Sequence, residues 1–317
     1  MSAADYLDLA LSRTELDRSA HLRSDEAKQS ELWAQARIAL LLGDKFVYHS
    51  VGENSGVELR YFSAKEIADL NLSGDRYFLG LTIDDVPYFV FHTQPERNES
   101  SSDFSSDSLR AIGANLGDLD IGVAAHSLAL SQWHYRHPRC AKCGAQTKVI
   151  LGGAARECGE CGSQHHPRTD PAVIVLIKDK EDRILLGHQK VWPTNRFSTF
   201  AGFVEPGESF EQCVRREVKE EAGVVVTAMN YLGSQPWPFP ASIMIAYEAL
   251  IDDPTAAQAD GEEIEEIRWY TRESMKAAVQ NQSIILPPTI SVARAMINRW
   301  YGSHADRDLL GGEAWRN

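Results

Sequence analysis

The sequence predicts an α+β protein in which a cysteine ribbon separates two sheet-bearing parts, and three observations carry that expectation. Short strand-like runs crowd residues 42–94, two cysteine pairs lie between 140 and 161, and strands alternate with amphipathic helices from residue 170 onward. We therefore expect a small, mostly β N-terminal α+β domain over 1–125, a linker helix with the ribbon over 126–167, and a mixed-sheet domain over 168–317.

A chain of 317 residues can bury two or three real cores. Its longest apolar runs, Ala172 to Ile177 and Ile38 to Leu42, are far too short to cross a bilayer. The opening MSAADYLDLALSRTELDR mixes acids into its apolar positions, unlike a secretory leader, so a cytoplasmic protein with no membrane partner is expected. A net charge of −13 argues against holding nucleic acid by phosphate neutralisation alone, while a local basic groove stays open.

In the first part, LGDKFVYHS at 42–50, VELRYFS at 57–63, RYFLGLTID at 76–84 and PYFVFHTQ at 87–94 read as a mostly antiparallel sheet, the last two joined by a turn at Asp85-Val86. ERNESSSDFSSDS at 96–108 is poor in apolar residues and reads as a mobile linker; its Asn98 sequon has no role in the cytoplasm. Residues 109–135 show helical spacing with an alanine and leucine stripe, a pattern of core packing.

Four of the five cysteines form Cys140-x2-Cys143-x14-Cys158-x2-Cys161, two knuckles around a short hairpin. That spacing suits one tetrahedral Zn²⁺, and four thiolates close the site, so the ion is structural. Disulfides are the competing reading, disfavoured in a reducing compartment. His134, His137, His165 and His166 flank the ribbon and are assigned to packing or substrate contact rather than to the metal. Cys213 is left over and reads as a small buried hydrophobe.

Beyond the ribbon, 170–179 and 183–190 read as a strand pair around a turn at 179–182, and RFSTFAGFV at 196–204 as a further strand. MNYLGSQ, SIMIAYEAL and EIEEIRWY supply more strands, and SVARAMINRWY is helical. Between them lies GFVEPGESFEQCVRREVKEEAGV, Gly202 to Val224. A helix over Ser209 to Ala222 would place Glu217, Glu220 and Glu221 at i, i+3 and i+4, on one face. Like charges at that spacing repel, and a hard divalent cation such as Mg²⁺ or Mn²⁺ would reverse the penalty. A solvated acidic face is the plainer alternative. Pro206-Gly207 makes the turn into the helix, and Gly223 sits where a left-handed cap ends it.

Read as a pattern, Gly202, Glu208, Arg216-Glu217, Val218, Glu220-Glu221, Gly223 and Val224 match the Nudix box at each of its nine defined positions over twenty-three residues. The resemblance implies an α/β/α sandwich with a mixed sheet, metal-binding glutamates set against a pyrophosphate, and a structural ion pair between Arg216 and Glu208.

A third segment narrows the substrate. Ser234-Gln235-Pro236-Trp237-Pro238-Phe239-Pro240-Ala241-Ser242 combines three prolines, which we expect to hold an extended stiff backbone, with two aromatic faces. By themselves these residues equally suit a stiffened surface loop with buried rings. The segment resembles the signature of the zinc-ribbon NAD(H) pyrophosphatases (NudC-like) among Nudix hydrolases, whose ribbon directly precedes the Nudix domain; Trp133-His134 and His166-Pro167-Arg168 fit their layout. The likeness covers about 135–300 well and the first 130 residues only in outline.

That resemblance implies roles for individual residues. Glu217 and Glu221 would hold two or three Mg²⁺ or Mn²⁺ ions with the Ala201 carbonyl and Glu263, and Glu220 would be a ligand or the water-activating base. Gln235, Pro236, Trp237, Pro238, Phe239, Pro240, Ala241 and Ser242 would line the dinucleotide pocket, with Phe203, His166, Ala293 and Arg110 as further substrate contacts. His166 stands where the family often has tyrosine, and Gly153 where some members have an acidic contact. The implied reaction is metal-assisted hydrolysis of NAD(H) to nicotinamide mononucleotide and AMP, extending to removal of NAD caps from RNA, by a homodimer. Two readings remain beside it: a Nudix hydrolase of ADP-ribose or a nucleotide sugar, which the aromatic-proline loop disfavours, and a non-enzymatic zinc-ribbon binding protein, which loss of a box glutamate would favour.

Overall fold

A computed structural model describes residues 6–52, 56–93 and 104–310. The serine-rich stretch at 96–103 with Asn98 lies outside them, as do Gln94 and the first five residues. The chain divides into two compact units: Leu11–Thr169 with Trp237–Ala241, and Met1–Ala10 with Asp170–Pro236 and Ser242–Asn317. No helix among the described residues is long and apolar enough to cross a membrane.

In the first unit, two short 3-10 turns precede α1 (Glu26–Gln35), whose N-cap Asp25 accepts the Lys28 N–H at 2.9 Å. Strands β1 (Arg37–Leu42), β2 (Lys45–Val51), β3 (Gly56–Leu59) and β4 (Tyr61–Phe62) follow, then α2 (Ala64–Asp69), β5 (Asp75–Leu81), β6 (Pro87–Thr93) and β7 (Ser106–Ser108). The sheet order is β3-β2-β1-β6-β5, with β4 on β1 and β7 on β2. It is mostly antiparallel, as expected, except that β1 and β6 run parallel. Ile38 to Leu41 are buried in succession, the mark of a strand covered on both faces rather than a hairpin arm.

Several expected boundaries shift. The run at 42–50 crosses the turn at Gly43 (φ 66°), and Ser106–Ser108, assigned to the linker, pair with β2. A ladder needs only backbone groups, so serine-rich composition concealed this strand. The helix expected at 109–135 is two: α3 (Leu109–Ile112) and α4 (Asp118–Arg136), interrupted at Leu116-Gly117. The ribbon strands β8 (Thr147–Ile150), β9 (Ala155–Cys158) and β10 (Gln164–His165) form an antiparallel sheet of order β10-β9-β8.

A buried polar chain ties α4 to the ribbon. Arg156 Nη1 donates to His134 Nδ1 at 2.9 Å, so His134 Nε2–H donates to the Gly153 carbonyl at 2.8 Å. The His134 ring stacks on Tyr77 at 4.3 Å. Gly153 has φ 102°, and a Cβ on it would come within 2.8 Å of the Tyr77 ring, so no acidic side chain fits there.

The second unit holds β11 (Asp170–Lys178), β12 (Ile184–Gln189), β13 (Phe200–Phe203), α5 (Phe210–Ala222), β14 (Val226–Trp237, all but its last residue), β15 (Ser242–Ile251), β16 (Ile264–Tyr270), α6 (Arg272–Gln280), α7 (Val292–Tyr301) and α8 (Ala305–Asp308). Its sheet order is β14-β15-β11-β12-β16 with β13 on β11; β11–β15 is parallel, while β11–β12, β11–β13 and β12–β16 are antiparallel, giving the expected mixed sheet. Val173, Val175 and Ile177 pack with Val214 and Val218 of α5, whereas Ile174 and Leu176 pack with Met275, Met296 and Ile297 of α6 and α7. The alternating β11 side chains thus separate two helical layers. Leu9 joins the second core, and the Leu7 N–H bonds to the Leu232 carbonyl at 2.8 Å, a role for the N-terminal segment that its composition does not announce.

Candidate active site and metal centres

The segment Gly202 to Val224 is arranged by local rules. Ser209 caps α5 and forms a capping box with Gln212, while Gly223 ends the helix at φ 71°. Cys213, Val214 and Val218 pack into the core, and Glu217 and Glu221 follow Cys213 at i+4 and i+8 along the same side of the helix. Glu217 and Glu221 are buried at the edge of the core and Glu220 is exposed. A Cβ on Gly202 would overlap the Glu217 carboxylate, so glycine is needed there for space.

Arg216 fastens loop to helix as expected. Its Nε and Nη2 donate to the two Glu208 oxygens at 2.8 and 2.9 Å, and Nη2 also reaches the Phe203 carbonyl at 3.0 Å. Those bonds, together with the Glu205 N–H, hold Glu208 down at about 2. Arg216 Nη1 further reaches Glu217 Oε1 at 2.7 Å and Glu220 Oε2 at 3.1 Å, a second role that the spacing did not reveal.

Glu221 differs from its neighbours. Burial first, then Glu263, Glu217 and Asp260, push its carboxyl up to about 8, opposed by a hydrogen bond from the Ala201 backbone. Its Oε2 is buried without a hydrogen-bond partner. Burial also raises Glu217. Such carboxylates fit a hard divalent cation, which would satisfy the orphaned oxygen and reverse the repulsion. Glu263 acts on both through its charge and accepts Gln189 Nε2–H at 3.0 Å. The glutamates are near neighbours rather than a closed ligand set: among the described residues, the group gathered tightly enough to hold an ion is Cys140, Cys143, Cys158 and Cys161.

In that group, all four sulfurs lie within 4.8 Å of one another. The Cys140–Cys161 and Cys143–Cys158 separations of 3.6 and 3.5 Å approach the value of about 3.8 Å for a tetrahedral ion with Zn–S of about 2.3 Å. His165 Nε2 lies 3.2 Å from Cys140 Sγ, at the edge of the cluster. Cys213 is fully buried, its thiol pushed up to about 12 by burial and then by Glu208, which suits packing.

The aromatic segment is extended, as expected, through Trp237, and turns beyond it where extension was also expected. β14 ends at Trp237, residues 238–241 form a turn, and the Phe239 N–H reaches the Trp237 carbonyl at 2.7 Å. Proline restricts φ but leaves ψ free, so proline content alone does not impose extension. The Trp237 and Phe239 rings meet edge to face at 4.9 Å, with the Arg110 guanidinium 4.1 Å from Phe239. Beside this stack is a cavity of about 320 Å³, whose walls include Asp44, Gln132 and Arg136, residues without a distinguishing sequence signal.

Other predicted contacts are scattered in burial. Phe203 is 61% exposed, and His166 and Pro236 are exposed. Gln235 is fully buried, its Nε2 donating to the Ile290 carbonyl at 3.1 Å, and Ala293 is buried in α7. Ser242 begins β15 opposite Asp170.

Residues 168–287 match the family model described as NUDIX domain. These residues form a NUDIX domain. It contains α5 and the whole carboxylate cluster, and its sheet is the mixed one of the second unit. The chain is 42% identical over 201 residues to "NAD-capped RNA hydrolase NudC" of Mycobacterium bovis, covering 61% of this chain and 64% of that protein. It is 39% identical over 197 residues to "NAD-capped RNA hydrolase NUDT12" of Homo sapiens, covering 58% and 42%. Both matches span less than two thirds of the relative's length. A solved NUDIX hydrolase of Nitrosomonas europaea aligns with a TM-score of 0.37 at 21% identity, covering 43% of this chain and 78% of that one.

Proposed function

We propose that this protein hydrolyses the pyrophosphate bond of NAD(H), releasing nicotinamide mononucleotide and AMP, and that it makes the same cut in RNA carrying a 5′ NAD cap. The observation that carries the reading is Glu221, a buried carboxylate with an orphaned oxygen and a raised pKa on the NUDIX helix. The relatives named for NAD-capped RNA hydrolysis supply the substrate class.

Glu217, Glu221, Glu263 and the Ala201 carbonyl would hold Mg²⁺ or Mn²⁺. When bound, such ions offset the diphosphate charge and lower the pKa of a coordinated water. Glu220, exposed on the same face, takes the proton as the water oxygen bonds to one phosphorus; the bridging P–O bond breaks and its electron pair leaves with the other phosphate. Arg216 restrains Glu217 and Glu220 through Nη1. Trp237 and Phe239 offer ring faces to the nucleotide, Arg110 braces them, and Phe203 and His166 add exposed rings. The four cysteines would hold one structural Zn²⁺. A cytoplasmic homodimer completes the reading, and its mass is checked by light scattering.

The decisive experiment incubates purified protein with NADH, NAD⁺, ADP-ribose and NAD-capped RNA under Mg²⁺ or Mn²⁺ and identifies the products. Nicotinamide mononucleotide with AMP, or with 5′-monophosphate RNA, is expected. Turnover of ADP-ribose alone would defeat the proposal.

A further inference from the structure

Glu263 lies outside the helix that carries the other glutamates, so a different set of groups must place it. Its backbone is fixed: the Asp260 carboxylate accepts the N–H groups of Glu262, Glu263 and Ile264 at 3.2, 3.2 and 2.8 Å, and the Lys190 N–H reaches the Glu263 carbonyl at 3.3 Å. Its side chain is exposed, and a free glutamate there would spread over several rotamers. Gln189 restrains it, donating Nε2–H to Glu263 Oε1 at 3.0 Å.

The sheet is built to put Gln189 there. Down the β12–β16 ladder, His188 opposes Glu266, but the next residue, Gln189, opposes Ile264, so the register skips Glu265. A bulge of this kind re-aims the side chains beside it. The donor's chemistry matters as much as its place. An arginine or lysine in place of Gln189 would add a positive charge beside the carboxylate as well as orient it. A neutral amide orients one oxygen and leaves the charge intact.

We propose that Gln189 is a positioning residue for divalent-cation binding, which holds the Glu263 carboxylate in the orientation that it uses together with Glu217 and Glu221. The proposal rests on the reading of Glu263 as a metal ligand.

The test measures Mn²⁺ binding to the full chain without substrate, by electron paramagnetic resonance of free Mn²⁺, for wild type, Gln189→Leu, Glu263→Gln and the double variant. Melting of the metal-free proteins and the Mn²⁺ concentration for half-maximal NADH hydrolysis are measured in parallel. Gln189→Leu is expected to weaken Mn²⁺ binding about tenfold and to raise the half-maximal concentration to match, with metal-free melting unchanged. The double variant should bind no more weakly than Glu263→Gln, because both changes act on one group. Wild-type affinity in Gln189→Leu beside weakened binding in Glu263→Gln would overturn the proposal alone. Wild-type affinity in Glu263→Gln would remove the ligand assignment and the proposal with it. Lower metal-free melting in Gln189→Leu would assign Gln189 to strand register instead.

Discussion

The Arg110 guanidinium lies 4.1 Å from the centre of the Phe239 ring and 5.1 Å from that of Trp237, so a residue far away in sequence braces both aromatics of the proline-rich segment. A cation over an aromatic face contributes about 0.5–1 kcal/mol where solvent reaches it. If these rings bind nucleotide, Trp237→Ala should raise KM for NADH several-fold and lower kcat less, since contacts equal in ground and transition states are uniform binding. Arg110→Ala should shift KM in the same direction by a smaller factor. Steady-state kinetics beside melting curves decide the matter: unchanged KM with melting lowered by several degrees would make the rings packing elements only.

Glu221→Gln should reduce hydrolysis at least a hundredfold while the fold persists. The substitution removes a ligand charge but also relieves a buried carboxylate whose ionised form is disfavoured by burial and then by Glu263, Glu217 and Asp260. The metal-free variant should therefore melt at or above wild type near pH 8, and the melting rise that Mn²⁺ gives wild type should shrink. Parallel loss of metal-free stability and activity would contradict this.

The box was legible because its determinants are local. Ser209 as cap, Val214 and Val218 inside, and Gly223 at positive φ all act within one helix, and the sequence shows their spacing directly. The cysteine knuckles were legible for the same reason. Contacts made by distant segments were not: Gln189 reaches Glu263 through a bulge, and Gln132 and Arg136 line a cavity beside a loop from a hundred residues further on. In the first unit, the parallel β1–β6 pairing depends on a partner that no local pattern specifies.

Cys140→Ser or Cys158→Ser should lower zinc content and melting temperature together, because a structural metal contributes its binding energy to folding. Zinc by mass spectrometry and thermal unfolding check this on the same samples. A variant without zinc and with normal melting would make the ion incidental to the fold.

His134 gives a pH dependence with a definite sign. Burial, with the Arg156 charge also acting, lowers its pKa to about 4, although the bond to Gly153 opposes the shift. Between its unfolded value of about 6.5 and 4, the unfolded chain takes up a proton that the folded chain refuses, so stability falls as pH drops through that window, by up to about 3 kcal/mol. Urea unfolding at pH 7 and pH 5 should show this fall in wild type and a smaller one in His134→Gln. The difference between the two chains cancels any acid loss of zinc that they share. Equal falls in both would show that His134 does not carry the titration.

Gly202→Ala tests whether the glycine ahead of the helix is there for space. The added Cβ would overlap the Glu217 carboxylate, and Gly202 is not among the glycines at positive φ, so the backbone itself should accept alanine. The carboxylate must then swing away from the end of β13 and give up its bond to Arg216 Nη1. We expect at least tenfold weaker Mn²⁺ binding and a comparable loss of activity, with zinc content unchanged and melting lowered by only a few degrees. Mn²⁺ titration beside a melting curve reads both quantities. Wild-type Mn²⁺ affinity in Gly202→Ala would mean that Glu217 can relax without leaving the cation site, and the fitted contact between Gly202 and Glu217 would have no bearing on metal binding.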